Sequence, residues 1–259
     1  MKILITGGKG FIGSWVVTDL IERGESPVIY DLAEKPFLFP GIETSVEVID
    51  GDITDLERTA AAIRQSKPEV IVHTAALTNV EKAQSQPSEA VRINIGGTLH
   101  LLEAARTSGI RRFVYTSSRG VFGHIEDDHG HPDYQPVAED YRCSPHTIYG
   151  STKFFCECLG LNYARTHGLE FCGLRFSMIY GPGKRPTHGS GAFHSVLIEE
   201  SLAERPVTFP QGAGQKDDLI YVRDVSQAIV LAALAPTASS PLYNIGTGVA
   251  STPVDFALP

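Results

Sequence analysis

The stretch KILITGGKGFIG at residues 2–13 decides the fold that we predict for this chain. It opens with a short apolar run typical of a buried strand, and Gly7, Gly10 and Gly13 follow. Gly7 permits a tight turn, Gly10 lets the backbone approach a pyrophosphate, and Gly13 lets the next helix pack close to the strand. This order predicts a dinucleotide site with the phosphates at the helix N-terminus.

The second strand, PVIYD at 27–31, ends in an acidic residue. A carboxylate at Asp31 accepts hydrogen bonds from ribose hydroxyls and repels a 2′-phosphate, so the pattern favours NAD over NADP. Further candidates for the cofactor site come at or after the ends of later strands: Asp52, Ile53, Ala75 and Asn94.

Short runs rich in Val, Ile, Phe and Tyr alternate with segments of helical period, which is typical of βα units around a parallel sheet. We predict strands near 2–6, 27–31, 46–50, 69–73, 112–116 and 170–175. We predict helices near 11–23, 55–65, 88–107 and 149–166. The expected fold class is therefore α/β, a Rossmann-type doubly wound parallel sheet.

The pattern changes in the C-terminal third, where the Gly/Pro-rich segment 181–191 precedes a predicted helix near 192–203 and a short strand at 207–209. A strand at 219–222 leads into a helix with Asp224 as its expected N-cap. We expect an NAD-binding domain at 1–176, with 219–235 packed back onto it, and a small substrate-binding lobe, which could be truncated, at 177–218 and 236–259.

A second motif, YGSTK at 149–153, places Tyr149 and Lys153 on one face of a helix. An ammonium near a phenol lowers the cost of forming phenolate, and the phenol can then exchange a proton with a substrate hydroxyl or carbonyl. The fifth strand ends in hydroxyl residues, and Ser118 there can orient the reacting oxygen. We therefore predict Ser118, Tyr149 and Lys153 as the catalytic set.

These segments resemble, in their usual order, the signatures of the NAD-dependent epimerase/dehydratase family, the extended short-chain dehydrogenases. The resemblance rests on TGGKGFIG, Asp31, GDITD, HTAA, FVYTSSRGVFG, YGSTK, LRFSMIYGPG and DLIYVRDVSQA, and spans nearly the whole chain. It implies a cofactor site formed by Gly7, Gly10, Phe11, Ile12, Asp31, Asp52, Ile53, Ala75, Asn94, Tyr149, Lys153 and Ser177. It also implies a homodimer built on the helices near 88–107 and 149–166.

Two departures from the family pattern narrow the expected reaction. Dehydratases of this family carry an Asp-Glu pair directly after the catalytic hydroxyl residue, where this chain has Arg119 and Gly120, so we expect no 4,6-dehydration. Nucleotide-sugar epimerases commonly use an asparagine and an arginine on the substrate diphosphate, where this chain has Met178 and Asp217. Met178 cannot donate a hydrogen bond, and Asp217 would repel a diphosphate.

Basic residues suggest two ways in which these departures could be offset. Lys184, Arg185 or Lys216 could compensate for the missing arginine. Arg119, next to Ser118, could instead grip the carboxylate of a sugar acid or hydroxy acid, although it could equally face solvent or a cofactor phosphate. We thus expect Ser118, Arg119 and Met178 to contact substrate.

Composition excludes several classes of protein. The chain has 259 residues, is 42% hydrophobic and carries a formal net charge of -8, which argues against nucleic-acid binding. No apolar stretch approaches membrane-spanning length, and the four cysteines lack zinc spacing. We expect a cytoplasmic protein with no membrane or nucleic-acid partner and no metal, since a polar loop explains the histidines and acids at 124–131.

The leading functional interpretation is an NAD-dependent dehydrogenase that transfers a hydride between NAD and a secondary alcohol or ketone of a small sugar-like or hydroxy-acid substrate. The alternative is an NAD-dependent sugar or nucleotide-sugar epimerase, which oxidises its substrate transiently. A third is a binding protein that senses NAD without chemistry, and the intact Ser118, Tyr149 and Lys153 argue against it.

Overall fold

The computed structural model describes residues 1–185, 192–209, 216–238 and 240–257. The strands are β1 (Lys2–Thr6), β2 (Ser26–Asp31), β3 (Glu47–Asp50), β4 (Val70–His73), β5 (Arg112–Ser118), β6 (Glu170–Phe176), β7 (Met178–Tyr180), β8 (Asp217–Tyr221), β9 (Leu242–Ile245) and β10 (Ala250–Ser251). The α-helices are α1 (Phe11–Glu22), α2 (Leu56–Ser66), α3 (Val80–Ser85), α4 (Pro87–Ala90), α5 (Gly97–Thr107), α6 (Ile148–His167), α7 (Ala192–Leu202), α8 (Val222–Leu234) and α9 (Pro253–Ala257).

The main sheet is parallel, with the strand order β3-β2-β1-β4-β5-β6-β9. Strand order reverses beside β1, which places the carboxyl ends of β1 and β4 at the point where such sheets bind ligands. A second sheet, in the order β10-β8-β7, lies in the C-terminal part of the chain. The predicted Rossmann-type α/β fold is therefore confirmed.

Apolar side chains cover both faces of the main sheet, as a parallel sheet between helices requires. Successive residues of β1 point to opposite faces: Leu4 joins the cluster that includes residues of α5 and α6, while Ile3 and Ile5 join the cluster that includes α1 and α8. The buried Arg112 at the start of β5 holds the end of α8 by donating to the carbonyls of Ala232 and Ala235. These bonds satisfy carbonyls that a helix C-terminus otherwise leaves free.

The structure corrects several sequence-based boundaries. Residues 242–245, which we assigned to the small lobe, form the seventh strand of the main sheet, because β9 pairs in parallel with β6. The helix expected near 88–107 is divided: α4 ends at Ala90, a π-helical turn spans Val91–Gly96, and α5 follows.

Two smaller predictions are also wrong. Residues 207–209 form no strand. Asp224 is not the N-cap of α8, because the helix begins at Val222, Tyr221 holds the capping position, and Asp224 lies in the first turn. Among the described residues, no helix has the length and apolar character needed to span a membrane.

Candidate active site

A cavity of about 380 Å³ opens at the carboxyl ends of β1, β4 and β5. It brings together most of the residues that the sequence predicted for the site: Gly7, Gly10, Phe11, Ile12, Ala75, Ser118, Arg119, Tyr149, Lys153, Ser177 and Met178. They come from segments far apart in the chain, and they meet because parallel strands end at the same edge of the sheet. We call this space the cofactor crevice.

The glycine turn forms one end of the cofactor crevice. Gly7 has a φ of 73°, and a Cβ there would lie 2.8 Å from the backbone nitrogen of Ala75. The Gly10 amide donates to the Gly7 carbonyl at 2.9 Å, and a Cβ at Gly13 would collide with that same carbonyl. The turn is thus closed so tightly that only glycine fits, and backbone is left facing the crevice.

Asp31 lies next to this turn, at the end of β2. Its carboxylate accepts hydrogen bonds from the backbone amides of Lys9 and Leu32, both at 2.9 Å, and pairs with the Lys35 ammonium at 3.3 Å. These contacts hold one carboxylate at the edge of the glycine turn, where the sequence predicted the ribose of the cofactor.

Four predicted cofactor residues do not line the cavity: Asp31, described above, and Asp52, Ile53 and Asn94. Asp52 accepts a hydrogen bond from the Thr54 amide, and Ile53 packs closely against Gly97. Asn94 lies in the π-helical turn with its side chain buried.

The Asn94 amide group has a supporting position instead. It accepts from the Leu77 amide and donates to the Leu77 carbonyl and to the Thr152 hydroxyl. It therefore fixes the loop after β4 against α6, and Leu77 itself lines the cavity.

The predicted catalytic residues lie at the other end of the crevice. Tyr149 and Lys153 are one helical turn apart at the start of α6, whose N-cap Thr147 accepts a hydrogen bond from the Gly150 amide. Lys153 Nζ donates to the Thr116 carbonyl at 2.7 Å and lies 5.8 Å from the centroid of the Tyr149 ring. Ser118 ends β5, where its hydroxyl oxygen accepts from the Gly120 amide at 3.1 Å.

The electrostatics of this trio differ from our expectation. Burial raises the pKa of the Tyr149 phenol to about 12, and a hydrogen bond with the Ser118 hydroxyl opposes that rise. Burial lowers the pKa of Lys153 to about 8. The pKa of Tyr149 is not lowered, because desolvation of the phenolate dominates. At neutral pH the phenol therefore rests protonated.

A buried histidine, His73, lies near Lys153 and is hydrogen-bonded on both ring nitrogens. His73, at the end of β4, bonds Thr6 and Thr98 through its two ring nitrogens, at 2.7 and 2.9 Å. Burial, aided by the Lys153 charge, lowers its pKa to about 3, so this histidine is neutral.

A buried ion pair involves the same helix as Tyr149 and Lys153, the predicted catalytic tyrosine and lysine. Glu157, one turn beyond Lys153 on α6, pairs with Arg175 at 2.8 Å and accepts from the Ser117 hydroxyl. Both charged side chains are almost fully buried, at 1% and 3% exposed. The pair thus joins α6 to β5 and β6, through the residue that precedes Ser118.

Arg119, which the sequence assigned to substrate contacts, pairs with Asp217, which we expected to repel a substrate diphosphate; spacing could not reveal this pairing. Arg119 and Asp217 form an ion pair at 2.6 Å between the end of β5 and the start of β8. Arg119 lines the cofactor crevice and also a second cavity of about 470 Å³, which Asp217, Asp218 and Asn244 help to line. From the sequence we had treated Asp217 as an isolated negative charge. In the structure Arg119 neutralises it.

The sequence did not assign Lys35 and Lys184 to the cofactor site, although both line the crevice. Lys35 could not be found by spacing, since it follows β2 in a segment without a motif. Lys184 stands directly after the Gly181-Pro182-Gly183 stretch, so its position near a site was visible, but we associated it with a substrate diphosphate.

The crevice fits NAD. A backbone-lined glycine turn at a helix N-terminus would hold the diphosphate, Asp31 would hold the adenosine ribose, and Ser118, Tyr149 and Lys153 would lie at the reacting end. A Cβ at Gly10 would lie only 3.1 Å from the Gly7 carbonyl oxygen and from Lys35 Nζ, so a side chain there would fill the cradle.

Comparisons with known proteins agree with this geometry. The model of the NAD dependent epimerase/dehydratase family matches residues 3–246. A UDP-glucose 4-epimerase from Mycolicibacterium smegmatis is 32% identical over 253 residues, which cover 96% of this chain and 78% of the relative. A 3 beta-hydroxysteroid dehydrogenase/Delta 5-->4-isomerase from Mycobacterium tuberculosis is 30% identical over 266 residues, which cover 100% of this chain and 68% of the relative.

A solved structure is similar over the whole chain. The crystal structure of the Thermus thermophilus UDP-glucose 4-epimerase in complex with NAD matches with a TM-score of 0.86 and 30% identity, covering 100% of this chain and 81% of that one. These matches confirm the family, the enzyme class and the NAD dependence that the sequence predicted. The chain belongs to the NAD dependent epimerase/dehydratase family.

Proposed function

We propose that this chain is an NAD-dependent epimerase that inverts a secondary alcohol of a nucleotide-linked sugar through transient oxidation. The observation that carries the proposal is the placement of Ser118, Tyr149 and Lys153 in one crevice with the glycine turn, in a chain similar to UDP-glucose 4-epimerases. This proposal reverses our preference for a dehydrogenase, since the similar proteins favour the epimerase alternative.

Asp217 is a weaker objection to a nucleotide-sugar epimerase once its contacts are known than it was from the sequence alone. Arg119 lies 2.6 Å from its carboxylate, so the two side chains form a pair of no net charge rather than a lone anion. A diphosphate approaching this pair would meet a guanidinium as well as a carboxylate. Arg119, directly after β5, would replace the arginine that epimerases commonly carry at the position of Asp217 on β8.

The reaction needs a proton carrier and an oriented oxygen. NAD, held by the glycine turn and Asp31, would supply the hydride acceptor and donor and the positive charge of its oxidised nicotinamide ring. Tyr149 takes the proton of the substrate hydroxyl as the carbonyl forms and gives it back when the alcohol is restored. Ser118 hydrogen-bonds the same oxygen. Positive charge brought into the crevice lowers the pKa of Tyr149 from its raised value, and the Lys153 ammonium contributes to that field.

The test is to incubate the purified chain with NAD and UDP-glucose and, in a separate reaction, with NAD and UDP-galactose. We expect the two sugars to interconvert, as followed by NMR of the anomeric protons, without steady accumulation of reduced nicotinamide absorbance. Steady accumulation with a changed sugar would contradict the proposal and support a dehydrogenase. No change of either substrate would exclude these UDP-sugars.

A second candidate is a dehydrogenase acting on a sugar acid or hydroxy acid. Arg119 favours it, because its side chain is 43% exposed and its guanidinium could exchange Asp217 for a substrate carboxylate. UDP-glucuronic acid offered with NAD is the discriminating substrate. Growth of reduced nicotinamide with this substrate alone would favour the acid dehydrogenase.

We also propose that the chain forms a homodimer through its α5 and α6 region. Large apolar side chains are exposed there, with Val91 47%, Leu99 38% and Phe155 49% accessible. Sedimentation should show a dimer that Phe155→Glu weakens. The control is Leu231→Glu on α8, also exposed, which should leave the dimer intact; a monomeric wild-type chain would refute this assembly.

A further inference from the structure

Lys184 is a buried cation at the wall of the cofactor crevice. Only 7% of the residue is exposed, and it lines the crevice together with Gly10 and Phe11. Its ammonium lies 5.6 Å from the centroid of the Phe11 ring and donates to the Ile179 carbonyl at 2.8 Å. Phe11 is the first residue of α1, so Lys184 faces the helix end that follows the glycine turn.

No carboxylate forms an ion pair with Lys184 within the part of the chain that the structure describes. Another buried lysine, Lys9, shows the usual arrangement, since its ammonium pairs with Asp50 at 3.1 Å. A buried charge without a counter-charge is costly and is kept only where something offsets it. Burial lowers the pKa of Lys184 to about 8, and desolvation is the cause.

We propose that Lys184 binds the diphosphate bridge of NAD and supplies, from the side of the small lobe, the positive charge that faces the N-terminus of α1. The diphosphate would lie between the backbone amides of the glycine turn and this ammonium, which together are complementary to an anion. The assignment concerns the cofactor, so it does not depend on which sugar reacts.

The proposal has a pH signature with a defined sign. A bound anion raises the pKa of the ammonium above its value in the free protein, so NAD binding takes up protons at pH values above about 8. Lys153 and Tyr149 also titrate in this crevice, Lys35 and Lys82 carry charge on its wall, and His194 lies close enough for Lys184 to lower its pKa. Because all of these remain in a Lys184 variant, the difference between the two proteins isolates Lys184.

The experiment compares the wild-type chain with Lys184→Met, which keeps the length of the side chain, and with Lys184→Arg, which keeps the charge. Lys82→Met is the matched control, since it removes an exposed cation that lines the same crevice. Calorimetric titration uses NAD, ADP, adenosine and UDP as ligands. At pH 8.5 it is repeated in two buffers of different ionisation enthalpy to count protons.

We expect Lys184→Met to weaken NAD and ADP by about 10-fold to 100-fold, the range of a lost charge-assisted hydrogen bond, while adenosine affinity is unchanged. Proton uptake on NAD binding should fall by about half a proton or more. Lys184→Arg should restore much of the affinity, and Lys82→Met should change it little. Lys184→Met should also raise the unfolding midpoint of the cofactor-free chain at neutral pH, because it removes an uncompensated buried charge.

Three results would overturn the proposal. Unchanged NAD and ADP affinity in Lys184→Met would show that the ammonium contacts no cofactor phosphate. An equal loss for adenosine would show a general disturbance of the crevice. A loss for UDP with none for NAD would assign Lys184 to the diphosphate of the substrate.

Discussion

The two sides of the cofactor crevice are held together in different ways. The sheet side consists of the ends of β1, β4 and β5 and is fixed by buried contacts, among them the glycine turn, the neutral His73 and the Glu157–Arg175 pair. The lobe side presents charged side chains: Asp217, paired with Arg119 from the loop after β5, and the buried Lys184, which has no carboxylate partner among the described residues. The sheet side should therefore govern stability, and the lobe side should govern which ligand binds.

The largest effect on stability is expected at Glu157, on the sheet side. Glu157→Gln leaves the buried Arg175 guanidinium without its counter-charge, which typically costs about 3–5 kcal/mol of unfolding free energy. The control is Glu89→Gln, which breaks the exposed pair of Glu89 with Arg92 and should cost far less, because solvent screens both charges. Urea unfolding measures both, and equal losses would show that burial of the first pair does not matter.

The next effect is a pH dependence that comes from His73. Its pKa is about 3 in the folded chain and near 6.5 when unfolded, so the unfolded state binds the extra proton between these values. Stability is therefore fully present above pH 6.5 and falls as the pH drops, by about 2 kcal/mol at pH 5.

His73→Gln should remove this component and flatten the loss of stability between pH 7.5 and pH 5. The measurement is urea unfolding at both pH values, with His167→Gln on the exposed end of α6 as the control. If the unfolding free energy of His73→Gln fell as much between pH 7.5 and pH 5 as that of the wild-type chain, His73 would not be held neutral in the fold.

The smallest effect on stability is expected at the lobe side. Since Arg119 is 43% and Asp217 18% exposed, the coupling energy of their pair in a double-mutant cycle should stay within about 1 kcal/mol.

Asp217→Asn should instead tighten binding of UDP, because it frees Arg119 and removes a negative charge, while NAD affinity stays unchanged. Weaker UDP binding in this variant would show that the carboxylate contributes contacts to the nucleotide.

The same contrast explains what could be predicted from the sequence. The glycine turn and Ser118, Tyr149 and Lys153 were correctly placed in one crevice, because local spacing sets each motif and parallel strands end at a common edge. The pairing of Arg119 with Asp217 was missed, since it joins β5 to β8 across about a hundred residues of chain, and no periodicity encodes such a contact.

Sequence reasoning also failed where packing decides the outcome. β9 was placed in the small lobe although it completes the main sheet. Ile53 packs in the core, and its contact with the cofactor stays a prediction. The raised pKa of Tyr149 was missed for the same reason, because the motif shows that a lysine is near but not how strongly the phenol is desolvated.

The central claim, that the Tyr149 phenol carries the reacting proton beside bound NAD, is tested most directly by Tyr149→Phe. Sugar conversion and NAD affinity are measured on the same preparations of the variant and the wild-type chain. We expect conversion to fall by about 10²–10⁴-fold, the usual contribution of a positioned acid–base group, while NAD affinity is retained. Full conversion by Tyr149→Phe with a normal NAD affinity would contradict the account.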